Sequence, residues 1–259
     1  MVMKILLSND DGIHAPGLRA LAAAVADCGE VTVIAPEREQ SAAGHAVTLH
    51  KPLRMREAPL PGLAVRAYAT NGTPADCVAL GTVDRGDLPD LVLAGINAGA
   101  NLAEEILYSG TASAAMEGAL NDVASFAFSV TAPAREARFD VAAELARRIV
   151  RSFPQEAASR ARFFNVNVPN LPPEKIAGLE VTRLGHRCYV NRMERRLDPR
   201  GRPYYWFTGE PVERDSSPGT DIAAIASGKI SITPLHFDLT SHDDITPLVE
   251  AIARAALWP

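Results

Sequence analysis

Alternating strand-like and helix-like segments predict an α/β fold in which helices cover a mostly parallel, doubly wound sheet. Two observations carry this prediction. Apolar or β-branched runs of strand length recur along the first 168 residues with helical candidates between them, and clusters of polar residues follow the ends of several runs. Hydrophobic residues make up 47% of the 259-residue chain and charged residues 22%, which suits a folded globular protein.

The chain opens with a strand, a loop, a helix and a second strand. Lys4–Ser8 is an apolar run, and Asn9-Asp10-Asp11-Gly12 follows it. Residues 16–27 are rich in Ala and Leu, with proline at the first position and Gly29 just past the end, which is typical helix punctuation. Val31–Ala35 is the second predicted strand. Further strands are predicted at 65–69, 91–94, 124–130 and 162–168, and further helices at 74–83, 112–121 and 138–152.

The character of the sequence changes at the proline-rich segment 169–173. We expect an α/β core over residues 1–180 and a second part, 181–259, that forms an arm, returns to the core and ends in an oligomerisation segment. Residues 183–214 hold eight arginines and no lysine, and two β-prone limbs around the turn-like segment 198–203 predict a projecting β-hairpin. Its aromatic residues are Tyr189, Tyr204, Tyr205, Trp206 and Phe207. Such an arm favours a subunit interface, with nucleic-acid binding as the alternative.

A C-terminal helix is predicted from helical spacing of the apolar residues Ile245, Leu248, Val249, Ile252 and Ala256. This apolar stripe packs either on the chain's own core or on a partner subunit. The second possibility agrees with an oligomerisation segment.

Overall charge, cysteine usage and hydropathy exclude several classes of protein. The formal net charge of −5 argues against a partner that is a nucleic-acid polymer or an anionic membrane. Cys28, Cys77 and Cys188 are widely spaced with no CxxC pair, so neither a disulfide framework nor a zinc site is indicated. The N-terminal apolar stretch is too short for a signal peptide, and no run of about 18 apolar residues occurs. We expect a cytoplasmic protein with no membrane span.

Four polar residues, Asp10, Asp11, Ser41 and Asn97, lie just past predicted strands of the parallel sheet. In open α/β sheets the carboxyl ends of the strands meet at the edge where ligands bind. Two adjacent carboxylates raise each other's proton affinity unless a cation lies between them. Carboxylate, hydroxyl and amide oxygens are hard ligands, which favours Mg²⁺ or Mn²⁺ over zinc. The alternative for Asp10-Asp11-Gly12 alone is a turn with a helix-capping aspartate.

A second candidate feature is Ser109-Gly110-Thr111, at the start of a predicted helix and close to Asn101. A helix N-terminus presents free amides and the positive end of its dipole to a phosphate, although Ser-Gly-Thr is also a common helix cap. The sequence lacks the GxxxxGK[ST] and GxGxxG patterns, so a P-loop or dinucleotide site is not indicated. His45 and His236 flank loops near the same edge and are candidates to protonate a leaving group, or else structural histidines.

Several motifs together resemble the SurE family of survival-protein nucleotidases. They are residues 8–17, 36–41, 72–78, 95–101 and 109–111, with 218–221 and 231–235. The resemblance implies a Rossmann-like three-layer core, a projecting hairpin and a C-terminal segment exchanged between subunits in a homodimer or homotetramer. One departure is Ala-Ser-Ala-Ala after Thr111, where Val-Gly-Ala-Ala is more usual.

The resemblance also implies a metal-dependent 5′/3′-nucleotidase that acts on nucleoside monophosphates, with short-chain polyphosphate as a further substrate of some members. It assigns one divalent metal ion per subunit to Asp10, Asp11, Ser41 and Asn97. We expect Asp10 and Asp11 to be the catalytic residues. We expect Asn101 and Ser109, Gly110 and Thr111 to bind the phosphate. Whether an aspartate acts as a base or a nucleophile stays open. The alternative from another class is a non-catalytic nucleotide-binding sensor or assembly protein.

Overall fold

The computed structural model describes residues 2–83, 87–152, 163–190 and 193–255. Its strands are β1 (Lys4–Ser8), β2 (Glu30–Pro36), β3 (Met55–Glu57), β4 (Arg66–Thr70), β5 (Leu91–Ala98), β6 (Ala124–Val130), β7 (Phe163–Val168), β8 (Leu179–Val181), β9 (His186–Val190), β10 (Met193–Leu197), β11 (Pro203–Phe207), β12 (Glu210–Asp215) and β13 (Ile230–Leu235). Its α-helices are α1 (Pro16–Val25), α2 (Pro74–Gly81), α3 (Gly110–Leu120), α4 (Asp140–Ser152), α5 (Asp221–Ala226) and α6 (His242–Ala255). A 3₁₀ helix at Ala103–Leu107 precedes α3.

The central sheet of the described residues has nine strands in the order β3-β4-β2-β1-β5-β6-β7-β13-β8. The six strands from β4 to β7 in that order pair in parallel. The edge strand β3 pairs antiparallel with β4. On the other side, β13 pairs antiparallel with β7 and in parallel with the edge strand β8. The predicted mostly parallel α/β sheet is therefore confirmed, and the carboxyl ends of β2, β1 and β5 lie side by side.

Helices cover both faces of this sheet and give three layers. Ile5 and Leu7 of β1 face a hydrophobic core that includes side chains of α1 and α4. Leu6, between them, faces a second core that includes side chains of α2 and α3. Successive residues of a strand point to opposite faces of the sheet, so both faces of a strand covered on both sides must be apolar. This explains why Lys4–Ser8 is a continuous apolar run rather than an alternating one.

Most predicted elements agree with the structure to within a few residues, and the differences have physical reasons. β13 was not among the predicted strands. It contains Pro234, which lacks a backbone donor, and its polar Ser231 and Thr233 are buried against the Thr182 hydroxyl at 2.7 Å each. β5 continues through Asn97 to Ala98, so Asn97 lies at the end of a strand and not in the loop where we expected it. Arg162, predicted as the start of a strand, lies outside the described residues.

The predicted hairpin arm is present. β9 pairs antiparallel with β12, and β10 pairs antiparallel with β11. The tip is closed by Asp198, whose carboxylate accepts hydrogen bonds from the amides of Arg200 and Arg202 at 2.8 Å. Every residue of β10 and β11 is exposed. Arg192, one of the arginines of the arm, lies outside the described residues.

The C-terminal helix α6 is exposed along its whole length. Its apolar side chains Ile245, Leu248, Val249 and Ile252 are between 40% and 60% exposed, and Ala256 lies outside the described residues. Within the described part of the chain, no surface covers this stripe. The division of the chain into 1–180 and 181–259 stays a prediction. None of the described helices is both long and apolar enough to cross a membrane.

Candidate metal and phosphate site

A cavity of about 460 Å³ lies at the carboxyl ends of β1, β2 and β5, and we call it the rim cavity. It contains all four predicted metal ligands, together with Asn101 and Ser109. The residues that line it are Asp10, Asp11, Glu39, Ser41, Ala42, Asn97, Ala98, Asn101, Glu105, Tyr108, Ser109, Ala134 and Tyr189. Three segments far apart in sequence are therefore brought together by strand order, as the sequence predicted.

Gly110 and Thr111 are not in this lining but lie directly behind Asp10. The buried Asp10 carboxylate accepts a short hydrogen bond from the Thr111 hydroxyl. Burial raises the pKa of that carboxyl, and the hydrogen bonds from Thr111 only partly oppose the rise. A Cβ at Gly110 would lie 2.7 Å from Asp10 Cβ, so only glycine permits this approach. Ser109 caps α3 by accepting from the Ala112 amide at 3.0 Å. The start of α3 thus positions Asp10, a role that the sequence did not indicate.

The end of β5 has an irregular backbone that aims Asn97 and Ala98 at the rim cavity. The pairing of β5 with β6 shifts register between Ala94 and Asn97. Gly95 has a φ of 121°, and a Cβ there would lie 2.4 Å from the Phe128 carbonyl oxygen. Asn97 Nδ2 donates to the Gly99 carbonyl at 2.8 Å. This contact leaves the Asn97 amide oxygen, a hard ligand, as the atom for a cation.

Ser41 lies on the loop that follows β2. Its hydroxyl donates to Glu39 Oε1 at 2.6 Å, and the Gln40 amide donates to the Asp10 carbonyl at 2.8 Å. Glu39 was not predicted to belong to the site, although two glutamates after a predicted strand end were a usable signal. The backbone contact fixes this loop beside Asp10.

Asn101 is held by a buried polar cluster. Its amide donates to Asn167 Oδ1 at 2.9 Å, and its carbonyl accepts from Asn165 Nδ2 at 2.8 Å and Asn167 Nδ2 at 2.9 Å. Asn101 Nδ2 donates to the Ser129 hydroxyl at 2.7 Å. Asn165 and Asn167 lie two residues apart on β7 and are fully buried. We did not predict their role, but two asparagines on one face of a buried strand were the signal, because buried polar groups need partners.

Glu105 and Tyr189 connect the rim cavity to the arm. Tyr189 on β9 donates a short hydrogen bond to Glu105 Oε1. Arg187, also on β9, contacts both Glu105 carboxylate oxygens at 3.3 Å and Glu213 of β12 at 3.1 Å. Neither Glu105 nor Tyr189 was predicted to belong to the site. The base of the arm is therefore fixed on the same 3₁₀ helix that leads into α3.

The electrostatics of the rim cavity are one-sided. Four carboxylates line it, from Asp10, Asp11, Glu39 and Glu105, and none of the described lining residues is Lys, Arg or His. Burial raises the pKa of Asp10 above its ordinary value. Burial, and then the neighbouring Asp10 charge, raises the pKa of Asp11 to about 6, against a hydrogen bond from the Ala98 backbone. Without a counter-charge, this site would repel any anionic ligand.

Comparison with known proteins identifies the family. The family model for "Survival protein SurE" matches residues 5–191. The chain belongs to the SurE family. Relatives of this SurE chain include the 5′-nucleotidase SurE of Moorella thermoacetica, which is 48% identical over 99% of this chain and 98% of its own. The 5′-nucleotidase SurE of Gloeobacter violaceus is 49% identical over 92% of this chain and 91% of its own.

A solved structure of the family also resembles the fold. The crystal structure of the SurE protein from Aquifex aeolicus matches with a TM-score of 0.78 at 39% identity, covering 95% of this chain and 98% of that one. The likeness covers nearly the whole of both chains, so the Rossmann-like fold class is confirmed.

The donor set of this SurE chain fits a divalent cation. Two carboxylates, a hydroxyl and an amide oxygen face one cavity that has no cationic side chain, and hard oxygen ligands suit Mg²⁺ or Mn²⁺. The described residues contain no group of three or more His, Cys, Asp or Glu side chains that could hold a metal ion. The predicted set is of a different kind, because it combines just two carboxylates with a hydroxyl and an amide oxygen.

The two candidate histidines do not join the site. His45 Nε2 lies 2.9 Å from Glu117 Oε2 on α3, and this contact lowers the pKa of Glu117. His236 is exposed just after β13. Neither lines the rim cavity, which favours the alternative that they are structural histidines. His45 is instead a partner of helix α3.

Proposed function

We propose that this SurE chain is a divalent-metal-dependent nucleotidase that hydrolyses nucleoside monophosphates to nucleoside and phosphate at the rim cavity. The observation that carries the proposal is the cavity itself, which joins four carboxylates, two amide side chains and two serine hydroxyls without a cationic residue. A dianionic phosphate monoester enters such a site only if a cation is bound first. Relatives that are 44% to 49% identical are named 5′-nucleotidases, which favours an enzyme over a non-catalytic sensor.

Asp10, Asp11, Ser41 and Asn97 would hold one divalent ion per subunit. When bound, such an ion polarises a phosphoryl oxygen and lowers the pKa of a water molecule. Asp10 is held from behind by the Thr111 hydroxyl, so its orientation does not depend on ligand binding. A metal-binding side chain that is already oriented contributes more to catalysis than a mobile one, because it does not have to reorganise during the reaction.

We propose that Asn101 and Ser109 contact the remaining phosphate oxygens, and the support is that both line the rim cavity. Asn101 has a fixed backbone, because Asn165 and Asn167 bond its carbonyl and amide. Thr111 and Gly110 support this site through Asp10. We also propose 3′-nucleotides and short-chain polyphosphate as further substrates.

We also propose that the protein works as a homodimer or homotetramer. The support is the apolar stripe of α6 and the aromatic side chains of β11, which are exposed in one chain. Exposed apolar patches of this extent mark interaction surfaces. A second copy of the chain would supply the cover for both.

The test is phosphate release from a panel of 5′- and 3′-nucleoside monophosphates, with Mg²⁺, with Mn²⁺ and with EDTA. We expect release that depends on metal and stops with EDTA. Binding of AMP without any release under any metal would identify a sensor instead and contradict the proposal.

A further inference from the structure

Asp221, the first residue of α5, has a fully buried carboxylate that the proposed reaction does not use. It ends the segment 218–221, one of the motifs that resemble the SurE family. Its Oδ2 accepts a hydrogen bond from the Ala103 amide at 2.8 Å. Its Oδ1 accepts from the Gly185 amide at 2.8 Å and the Ile222 amide at 2.9 Å. Hydrogen bonds to an ionised group are stronger than neutral ones, so one side chain firmly joins three segments of the chain.

The first of these segments, residues 101–109, forms one wall of the rim cavity, and we call it the wall segment. Its members that line the cavity are Asn101, Glu105, Tyr108 and Ser109. Ala103, between them, has a φ of 51°, a left-handed conformation that is unfavourable for residues other than glycine. The hydrogen bond from its amide to Asp221 stabilises this conformation. The path of the wall segment from Asn101 to Ser109 therefore depends on Asp221.

Asp221 also fixes the start of the arm, because Gly185 directly precedes β9. The Asp221 amide donates to the Arg183 carbonyl at 2.9 Å, and the Arg183 amide donates to the Gly219 carbonyl at 3.0 Å. The segment 218–221 and the chain that enters the arm are thus bonded through both backbone and side chain. The wall segment and the start of the arm meet at one carboxylate.

Two further contacts join the wall segment to the same elements. Leu102 and Ala103 pack with Ile222 of α5 in a small buried apolar cluster. Glu104 accepts a hydrogen bond from the Arg187 amide of β9 at 2.8 Å. Exclusion of water strengthens hydrogen bonds to a buried charge, so the apolar cluster supports the contacts of Asp221.

We propose that Asp221 is a positioning residue for the phosphate end of the substrate, because it holds the wall segment so that Asn101 and Ser109 face the phosphate. This inference rests on the proposed nucleotidase function. The four proposed metal ligands lie on other segments, after β1, after β2 and at the end of β5. Loss of the Asp221 contact should therefore impair the handling of phosphate and leave metal binding intact. A merely structural role would affect both alike.

The variant that tests this role is Asp221→Asn, which keeps the size of the side chain and replaces one acceptor oxygen by a donor. Among the described contacts, Oδ1 accepts two hydrogen bonds and Oδ2 accepts one. We expect the asparagine oxygen to stay with the Gly185 and Ile222 amides. Its Nδ2 then faces the Ala103 amide, and two donors cannot bond each other. The variant breaks the contact that holds the wall segment.

The measurements are phosphate release from AMP and calorimetric titration of Mn²⁺, in wild type and Asp221→Asn. We expect kcat/KM for AMP to fall about 10- to 100-fold in the variant, because a small misplacement of phosphate-binding groups costs that much. Mn²⁺ affinity should stay within about twofold, as for independent sites. Unchanged kcat/KM, or Mn²⁺ affinity that falls as far as activity, would overturn the inference.

Thr220→Val is the matched control, because Thr220 precedes Asp221 and is also fully buried. Its hydroxyl accepts from the Ala223 amide at 3.1 Å and donates to the Ser217 carbonyl at 2.8 Å. Loss of this helix cap should lower the urea midpoint of unfolding and leave kcat/KM unchanged. A loss of kcat/KM as large as that of Asp221→Asn would assign both effects to the stability of α5 and overturn the positioning role.

Glu104→Ala tests the same role if Asp221→Asn does not fold. The Glu104 side chain is 41% exposed, so its removal should not prevent folding. It removes the second link between the wall segment and the arm, the bond to the Arg187 amide. We expect kcat/KM for AMP to fall at least about threefold, with Mn²⁺ affinity unchanged. Unchanged kcat/KM would show that the wall segment does not need these contacts, and would overturn the inference.

Failure of the proposed function gives a different result from failure of this inference. If wild type releases no phosphate from AMP with any metal, the nucleotidase proposal fails. The positioning role is then tested by titrating inorganic phosphate into protein saturated with Mn²⁺. Wild type should bind phosphate, and Asp221→Asn should bind it at least about fivefold more weakly. Equal affinity in the two proteins, or no phosphate binding to wild type, would overturn the role of Asp221.

Discussion

The rim cavity and the C-terminal helix α6 differ in how many of the contacts to their side chains come from within the same chain. Around the rim cavity, Asp10, Asn101 and Glu105 each have several partners from distant strands and helices. On α6, all described residues are exposed and the apolar stripe has no cover in the described chain. The contrast agrees with our proposals that the reaction site forms within one chain and that the C-terminal helix packs on a second copy.

The largest effect should come from Asp10→Asn, which keeps the shape and removes the charge. Activity with Mg²⁺ or Mn²⁺ should fall about a thousandfold or more, because metal polarisation of the phosphate is worth several kcal/mol. Thermal stability in EDTA should be no lower than that of wild type, since burial of an uncompensated carboxylate is itself costly. Steady-state phosphate release and thermal melts measure the two effects.

Asp140→Asn is the control for that experiment, because Asp140 is an exposed residue at the start of α4. It should keep wild-type activity. An active Asp10→Asn protein with a bound metal would show that Asp10 is not a metal ligand. It would also contradict the proposal that the rim cavity is the reaction site.

A smaller loss is expected from Asn167→Ala, which removes two hydrogen bonds to the Asn101 backbone. Leaving these buried groups unpaired should lower the free energy of unfolding by about 1–3 kcal/mol. A small displacement of Asn101 should also lower kcat/KM by about 10- to 100-fold. Urea unfolding and steady-state kinetics are the measurements.

Asn170→Ala is the matched control, because Asn170 also makes two backbone hydrogen bonds, to the Arg138 amide and the Glu136 carbonyl, away from the rim cavity. It should cost similar or less stability and leave kcat/KM unchanged. If both variants lose activity in proportion to stability, the asparagines of β7 have a structural role alone.

These two predictions concern residues of which some could be assigned to the site from the sequence and others could not. Asp10, Asp11, Ser41 and Asn97 were visible because each follows a strand, and parallel strands end at one edge. Asn165, Asn167 and Tyr189 were not, because their roles depend on pairing between β7 and β6 and on the fold of the arm over the 3₁₀ helix. Such contacts join residues 64 to 84 positions apart in the sequence, and no local pattern encodes them.

The fold was predictable for a related reason. Buried parallel strands require continuous apolar runs, so β1, β2 and β6 stood out in the sequence. β3, β8 and β13 did not, since β3 and β8 are three residues long and β13 contains polar residues and Pro234. The irregular end of β5 was hidden because its register shift depends on the closeness of Gly95 to β6.

A third prediction tests whether a second copy of the chain covers the apolar stripe of α6. Leu248→Glu places a charge in the exposed apolar stripe and should shift the protein to a smaller species, because burying an unpaired charge at an interface is unfavourable. Glu250→Lys, a charge change elsewhere on the same helix, should leave the mass unchanged. Light scattering coupled to size exclusion gives the result. An unchanged mass for Leu248→Glu would show that α6 is not an interface.

The smallest effect concerns Asp76, at the start of α2. Burial raises the pKa of Asp76, but hydrogen bonds from Thr48 and Thr73 outweigh burial and hold the pKa below its ordinary value. The contacts include the Thr48 amide at 2.9 Å and the Thr73 amide at 2.8 Å, so Asp76 ties the loop after β2 to α2. Asp76→Asn should cost about 1 kcal/mol at neutral pH, a typical value for a helix cap.

The pH dependence follows from the lowered pKa. Stability from a carboxyl whose pKa is lower in the folded state is present above the unfolded pKa of about 3.9 and is lost as the pH falls through the folded value. The difference between wild type and Asp76→Asn should therefore shrink in acid. Urea unfolding at neutral pH and below pH 4 measures this difference. A gap that stays constant would show that the Asp76 charge contributes nothing.

The central claim is that the rim cavity is built to hold a divalent cation, through which the phosphate binds. Its most direct test is calorimetric titration of Mn²⁺ into metal-free wild-type protein and Asp10→Asn. We predict one site per chain in wild type, loss of that site in the variant, and binding of inorganic phosphate to wild type that requires the metal. Phosphate binding of equal strength with and without Mn²⁺, or Mn²⁺ binding unchanged by Asp10→Asn, would contradict the account.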